Sequence, residues 1–140
     1  MARSPHSMAA VGIGVSDLAR STDFYTRVMG MQKLQTIHLD HMDEVICAYE
    51  GRTAVVLMHY KDGSNPNYRD NPVKLVFYVT DPTEMANRIR ADGLEITRES
   101  APIEGFGIVG LAKDPDGYVV ELLLAPAVAA ERAPAEKATA

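Results

Sequence analysis

From Ala9 to Val15 the chain is almost wholly apolar or small, which reads as a first strand. Ser16 and Asp17 follow as cap candidates. Leu18, Ser21, Tyr25 and Val28 then recur on one helical face, and Gly30 stops that helix, because glycine adopts the left-handed backbone past a helix end without a Cβ clash. Three extended segments come next, Met31 to His38, Glu44 to Glu50 and Thr53 to Tyr60, with Gly51-Arg52 as a tight turn between the last two. The order is βαβββ.

The same order returns. Val73 to Val79 reads as a strand, Asp81 caps a helix with Pro82 at its first position and Glu84 three residues after the cap, and Gly93 closes it. Asp17 and Asp81 are 64 positions apart and Gly30 and Gly93 are 63 apart, so a duplication is the simplest explanation. Leu94 to Ser100, Phe106 to Lys113 and Tyr118 to Leu124 complete the second unit, with Asp114-Pro115-Asp116-Gly117 as the turn before its last strand. The expected organisation is an N-terminal extension (1–8), a first module (9–61), a linker rich in Asn and Asp (62–72), a second module (73–124) and a mobile tail (125–140) in which a short helix can form.

Composition narrows the function classes. The 140 residues are 46% hydrophobic and 24% charged, as in a packed globular chain. The formal net charge is −5 and no basic run could neutralise a row of phosphates, which argues against nucleic-acid binding. No apolar stretch approaches the ~20 residues of a membrane helix. Met1 to Ser7 lacks the continuous apolar region of a secretory signal, and the single Cys47 has no internal partner, so a cytoplasmic location is expected.

Two stretches carry a resemblance. Asp17-Leu18-Ala19-Arg20-Ser21-Thr22-Asp23-Phe24-Tyr25-Thr26-Arg27-Val28-Met29-Gly30-Met31 and Asp114-Pro115-Asp116-Gly117-Tyr118-Val119-Val120-Glu121-Leu122 are similar to the vicinal oxygen chelate superfamily of glyoxalase I, bleomycin-resistance proteins and extradiol dioxygenases. The resemblance covers roughly residues 9 to 124 and implies an α+β fold, with two βαβββ modules forming curved mixed sheets around a cavity. It also implies a homodimer and a small-molecule ligand or substrate. Both motifs are mainly structural, so they identify a scaffold better than a chemistry.

In the glyoxalase I pattern, metal ligands stand on the first and fourth strands of each module. Alignment through the motifs puts Ala10, Leu57, Lys74 and Glu121 at those positions. Alanine and leucine have no donor atom and a protonated lysine repels a divalent cation, so the expectation is a lost metal site and no cofactor. Lys74, Val76 and Tyr78 share one strand face, as do Val119, Glu121 and Leu123, and pairing of those strands would make Lys74 and Glu121 neighbours. On the first module, Ala10, Gly12 and Gly14 leave little side-chain volume, while Val55, Leu57 and His59 are expected to line the same cavity.

Several residues carry two readings. Glu121 is either a general base or the ion-pair partner of Lys74. His59 either contacts a substrate or is a satisfied histidine. His38 and His41, with Asp40, Asp43 and Glu44, offer an alternative metal site or an ordinary polar hairpin. Tyr49, Tyr60 and Tyr78 either touch a ligand or pack, and Cys47 reads as an inert buried thiol. The functional expectation is a glyoxalase-like small-molecule-binding protein without the family metal. Its enzymatic version is a lyase or isomerase using Glu121, Lys74 and His59 as catalytic residues, with Ala10, Gly12, Leu57 and Tyr78 binding the ligand. The alternatives are sequestration of an apolar compound, as in bleomycin resistance, and a metal-dependent lactoylglutathione lyase with a rearranged site.

Overall fold

Asp17 stands in extended backbone, and its carboxylate accepts the amide of Arg20, which starts helix α1 (Leu18–Asp23). The helix does not run on regularly to Gly30. From Phe24 to Val28 it widens into a π-helical turn, in which the amide of Met29 reaches the carbonyl of Phe24. The extra residue per turn lets the consecutive Phe24 and Tyr25 both point inward, and their rings meet edge to face at 4.9 Å. The Tyr49 hydroxyl donates to the Met29 carbonyl and fixes the end of this segment, after which Gly30 takes a φ of 79°.

The computed structural model describes residues 4–131, and the chain divides into two units between Arg69 and Asp70. The first unit holds β1 (Ala10–Gly14), α1, β2 (Gln32–His38), β3 (Met42–Ala48) and β4 (Ala54–Tyr60). Its sheet has the order β1-β4-β3-β2, parallel between β1 and β4 and antiparallel elsewhere. The second unit repeats this with β5 (Lys74–Val79), α2 (Pro82–Ala91), β6 (Ile96–Ile103), β7 (Gly107–Lys113) and β8 (Val119–Leu124), in the order β5-β8-β7-β6. The fold is α+β, as the sequence pattern predicts.

Each sheet has one face against its helix. In the first unit Ile13, Val15, Phe24, Val28, Val45, Cys47 and Leu57 are buried, and in the second Leu75, Phe77, Val79, Ile89, Val120 and Leu122 are. The pleat is plainest in β5, where buried Leu75, Phe77 and Val79 alternate with exposed Lys74, Val76 and Tyr78. Helix α2 begins as expected: Asp81 accepts the Glu84 amide, and Pro82 occupies the first turn, where its missing N–H costs nothing.

Some boundaries differ from the expectation. β3 begins at Met42, because three residues suffice for the hairpin and Leu39 already bonds the Met42 carbonyl. β6 runs on to Ile103 with two register shifts, which no hydrophobic alternation in its sequence signals. Residues 126–131, placed in the expected tail, are helical, while 132–140 and the first three residues of the expected extension lie outside the described residues. In the first unit the segment after β4 is pinned by Tyr68, whose ring stacks on His59 at 5.7 Å and whose hydroxyl accepts the Tyr60 amide.

Candidate functional site

The second sheet presents its open face opposite α2. Register places Val76 beside Glu121, Glu121 beside Leu111, and Tyr78 beside Leu123, so a carboxylate stands among apolar neighbours on the middle strands. Lys74 sits one step along β5, and its Nζ lies 3.4 Å from Glu121 Oε1. The Glu121 side chain is 19% exposed and that of Lys74 54%, so the carboxylate is half-sheltered while the ammonium reaches it from the solvent side. Together they offer a proton acceptor and a cationic hydrogen-bond donor on an otherwise apolar floor. Tyr78, 65% exposed, and Val76, 50% exposed, extend that floor.

The last turn before β8 holds Glu121 in place. The Asp114 carboxylate accepts the amides of Asp116 and Tyr118 at 2.9 Å each, and the Gly117 amide bonds the Asp114 carbonyl. Gly117 has a φ of 87°, and a Cβ there would sit 2.0 Å from an Asp70 carboxylate oxygen. Asp114 to Gly117 thus sets the entry of β8 into the sheet, the turn role that its sequence predicts.

The first sheet's open face carries Ala10, Gly12 and Gly14 on β1 with Val56 and Met58 on β4. Gly12 gives its side-chain space to Met58, whose sulfur and methyl carbon lie 3.2 Å from where a Cβ would stand. Two expectations are corrected here. Leu57 and Val55 do not share this face. Leu57 pairs with Ile13 and Val45 and is fully buried on the helix side, so it is a core residue and not a ligand contact. His59 follows Leu57 on that side, where its Nδ1 is 2.9 Å from the Val15 carbonyl and its ring lies on Tyr68, so it does not join Gly12 either.

The register supplies the residue that the alignment missed. Gly12 pairs with Val56 as Val76 pairs with Glu121, so Val56 occupies in the first unit the position of Glu121 in the second. The second unit is one residue longer between these strands, which is why the 64-residue period points to Leu57 instead. In the second unit these positions hold Lys74 and Glu121, and their counterparts in the first unit are Ala10 and Val56. Neither pair by itself supplies the several oxygen or nitrogen ligands that a divalent cation needs.

The other candidates resolve individually. His38 Nδ1 lies 2.7 Å from Asp43 Oδ1, and Lys61 Nζ lies 2.8 Å from that same oxygen. The Lys61 ammonium, and after it His38, hold the Asp43 carboxyl below its usual range. His41 stands over Tyr60, with ring centroids 6.3 Å apart. Among the described residues no group of three His, Cys, Asp or Glu side chains is arranged to hold a metal ion. Tyr49 is committed to the Met29 carbonyl, and burial pushes the Cys47 thiol up, in keeping with an inert sulfur.

Residues 7–122 match the model of the Glyoxalase/Bleomycin resistance protein/Dioxygenase superfamily. The chain belongs to this superfamily. A lactoylglutathione lyase of Salmonella typhimurium is 33% identical over 124 residues, covering 84% of this chain and 89% of that protein. One from Arabidopsis thaliana is 31% identical over 115 residues, which are 78% of this chain and 41% of that longer protein. Among solved structures, glyoxalase I of Leishmania major superposes with a TM-score of 0.74 at 27% identity, covering 96% of this chain and 99% of that one. The antibiotic-binding protein TnmS3 of Streptomyces sp. CB03234 superposes with a TM-score of 0.67 at 23% identity over 89% of this chain and 98% of its own, which shows a shared fold. Among the described residues of this superfamily member no helix is long and apolar enough to cross a membrane.

Proposed function

We propose that this glyoxalase-superfamily protein binds a small organic molecule on the open face of its second sheet and does so without the metal of the lyases it is similar to. The observation that carries this reading is the Lys74–Glu121 ion pair, standing where the superfamily resemblance places two metal ligands. An ammonium 3.4 Å from the carboxylate takes the charge-balancing role of a cation. Val76, Tyr78, Leu111 and Leu123 supply the apolar contacts that such a ligand requires.

A second reading rests on the lactoylglutathione lyase relatives: turnover at the same pair, by lyase or isomerase chemistry. Glu121 takes a proton from a carbon beside a carbonyl, and the Lys74 ammonium hydrogen-bonds the oxygen on which negative charge develops. His59 is held within the first unit by the Val15 carbonyl and the Tyr68 ring.

The deciding experiment is the metal-to-protein ratio of chain purified without a metal-affinity column, before and after incubation with nickel, zinc or manganese. A ratio near zero that stays near zero is the expected result. A tightly held equivalent that Glu121→Gln abolishes would overturn the reading. Glu121→Gln then separates the two versions. Loss of solvent-deuterium incorporation into a carbonyl substrate supports catalysis, whereas unchanged ligand affinity with no exchange in either protein supports binding alone.

A further inference from the structure

The row of the second sheet that contains Glu121 continues outward to an arginine. Across the strands it reads Val76, Glu121, Leu111 and Arg98, since Leu111 pairs with Glu121 on one side and Arg98 on the other. Its pairing with Leu111 puts Arg98 on the open face, while the neighbouring Glu99 is engaged by Arg90 of α2. Of the other cations on this face, Lys74 is engaged by Glu121 and Lys113 by Asp70 at 3.6 Å. Arg98 is exposed and, among the described residues, has no ion-pair partner. A guanidinium is a fork of donors shaped for a planar anion, and here it belongs to the same cross-strand row as Glu121, with Leu111 between them.

We propose that Arg98 selects the ligand: a small carboxylic acid whose anion engages Arg98, whose apolar body lies over Leu111, and whose other end reaches Lys74 and Glu121. This deepens the reading above and rests on it. Two strand spacings, about 10 Å in all, separate the backbones of β6 and β8, which sets the length of the molecule. Charge complementarity fixes its sign. Glu121 has its counter-ion in Lys74, while Arg98 has none, so a monoanion balances the face and a cation does not.

The test uses the full chain and two matched probes, 4-phenylbutyrate and its uncharged amide, titrated by calorimetry at low and high salt. The acid is expected to bind about five- to tenfold more tightly than the amide. Arg98→Gln should erase that preference, Arg98→Lys should keep part of it, and Arg90→Gln, on the helix side, should leave it intact. Equal affinities for acid and amide, or a preference that survives Arg98→Gln, would overturn the proposal while leaving an apolar binding face. Binding of neither probe at millimolar concentration overturns it too, and the metal-to-protein ratio reports separately on the reading beneath it.

Discussion

Leu57 and Val56 differ by one position and by everything that position implies. Leu57 is fully buried between Ile13 and Val45, so Leu57→Ala leaves a cavity and should cost about 2–5 kcal/mol in chemical denaturation. Val56→Ala on the open face should cost under about 1.5 kcal/mol, and equal losses for the two would contradict the register. This distinction was not legible in the sequence. Ala54 to Met58 is apolar throughout, so no polar residue marks which side faces the helix, and a slip of one residue exchanges the two faces. In β8, Glu121 among leucines and valines announces its face, and the Lys74–Glu121 neighbourhood could be anticipated from the outer-strand pairing that the superfamily resemblance implies. Arg98 could not, because the bulges of β6 break the alternation that would have aligned it. Asp43 gives a residue-scale prediction in pH. Its carboxyl is held below the usual range in the folded chain, so the associated stabilisation is present above the unfolded aspartate range and disappears as pH falls below about 4. NMR titration should place its midpoint below an ordinary aspartate, and Lys61→Met should move it up. A midpoint unmoved by that change would reject the assignment to Lys61.

The elements owe their limits to a few capping groups. Asp17 and Asp81 play the same part in the two units, each accepting the amide three residues on. Asp81→Ala should therefore destabilise the protein by about 1 kcal/mol, seen as a lower denaturant midpoint at an unchanged slope, and Asp81→Asn should restore most of it. Both helix starts and the glycine stops were legible because capping chemistry is local. The π-helical turn at Phe24 to Val28 was not, since it is made by burying two consecutive aromatic side chains against the sheet, a tertiary demand that helical spacing does not encode.

Across the whole molecule, the duplication was legible from spaced caps and stops, and the two sheets repeat one topology. The formal charge of −5 gives a prediction at this scale: a labelled DNA duplex should show no mobility shift with the protein even at low salt, and a shift that salt reverses would contradict it. One more property follows from how the aromatic residues are distributed. The chain has no tryptophan, so its near-ultraviolet emission belongs to six tyrosines. Tyr25 and Tyr118 are buried, Tyr49, Tyr60 and Tyr68 are half-buried, and Tyr78 alone is exposed, on the face that carries Glu121. The protein thus has a built-in optical reporter: a molecule settling on the second sheet changes the emission of one ring, and Tyr78→Phe silences that signal while the other five keep theirs.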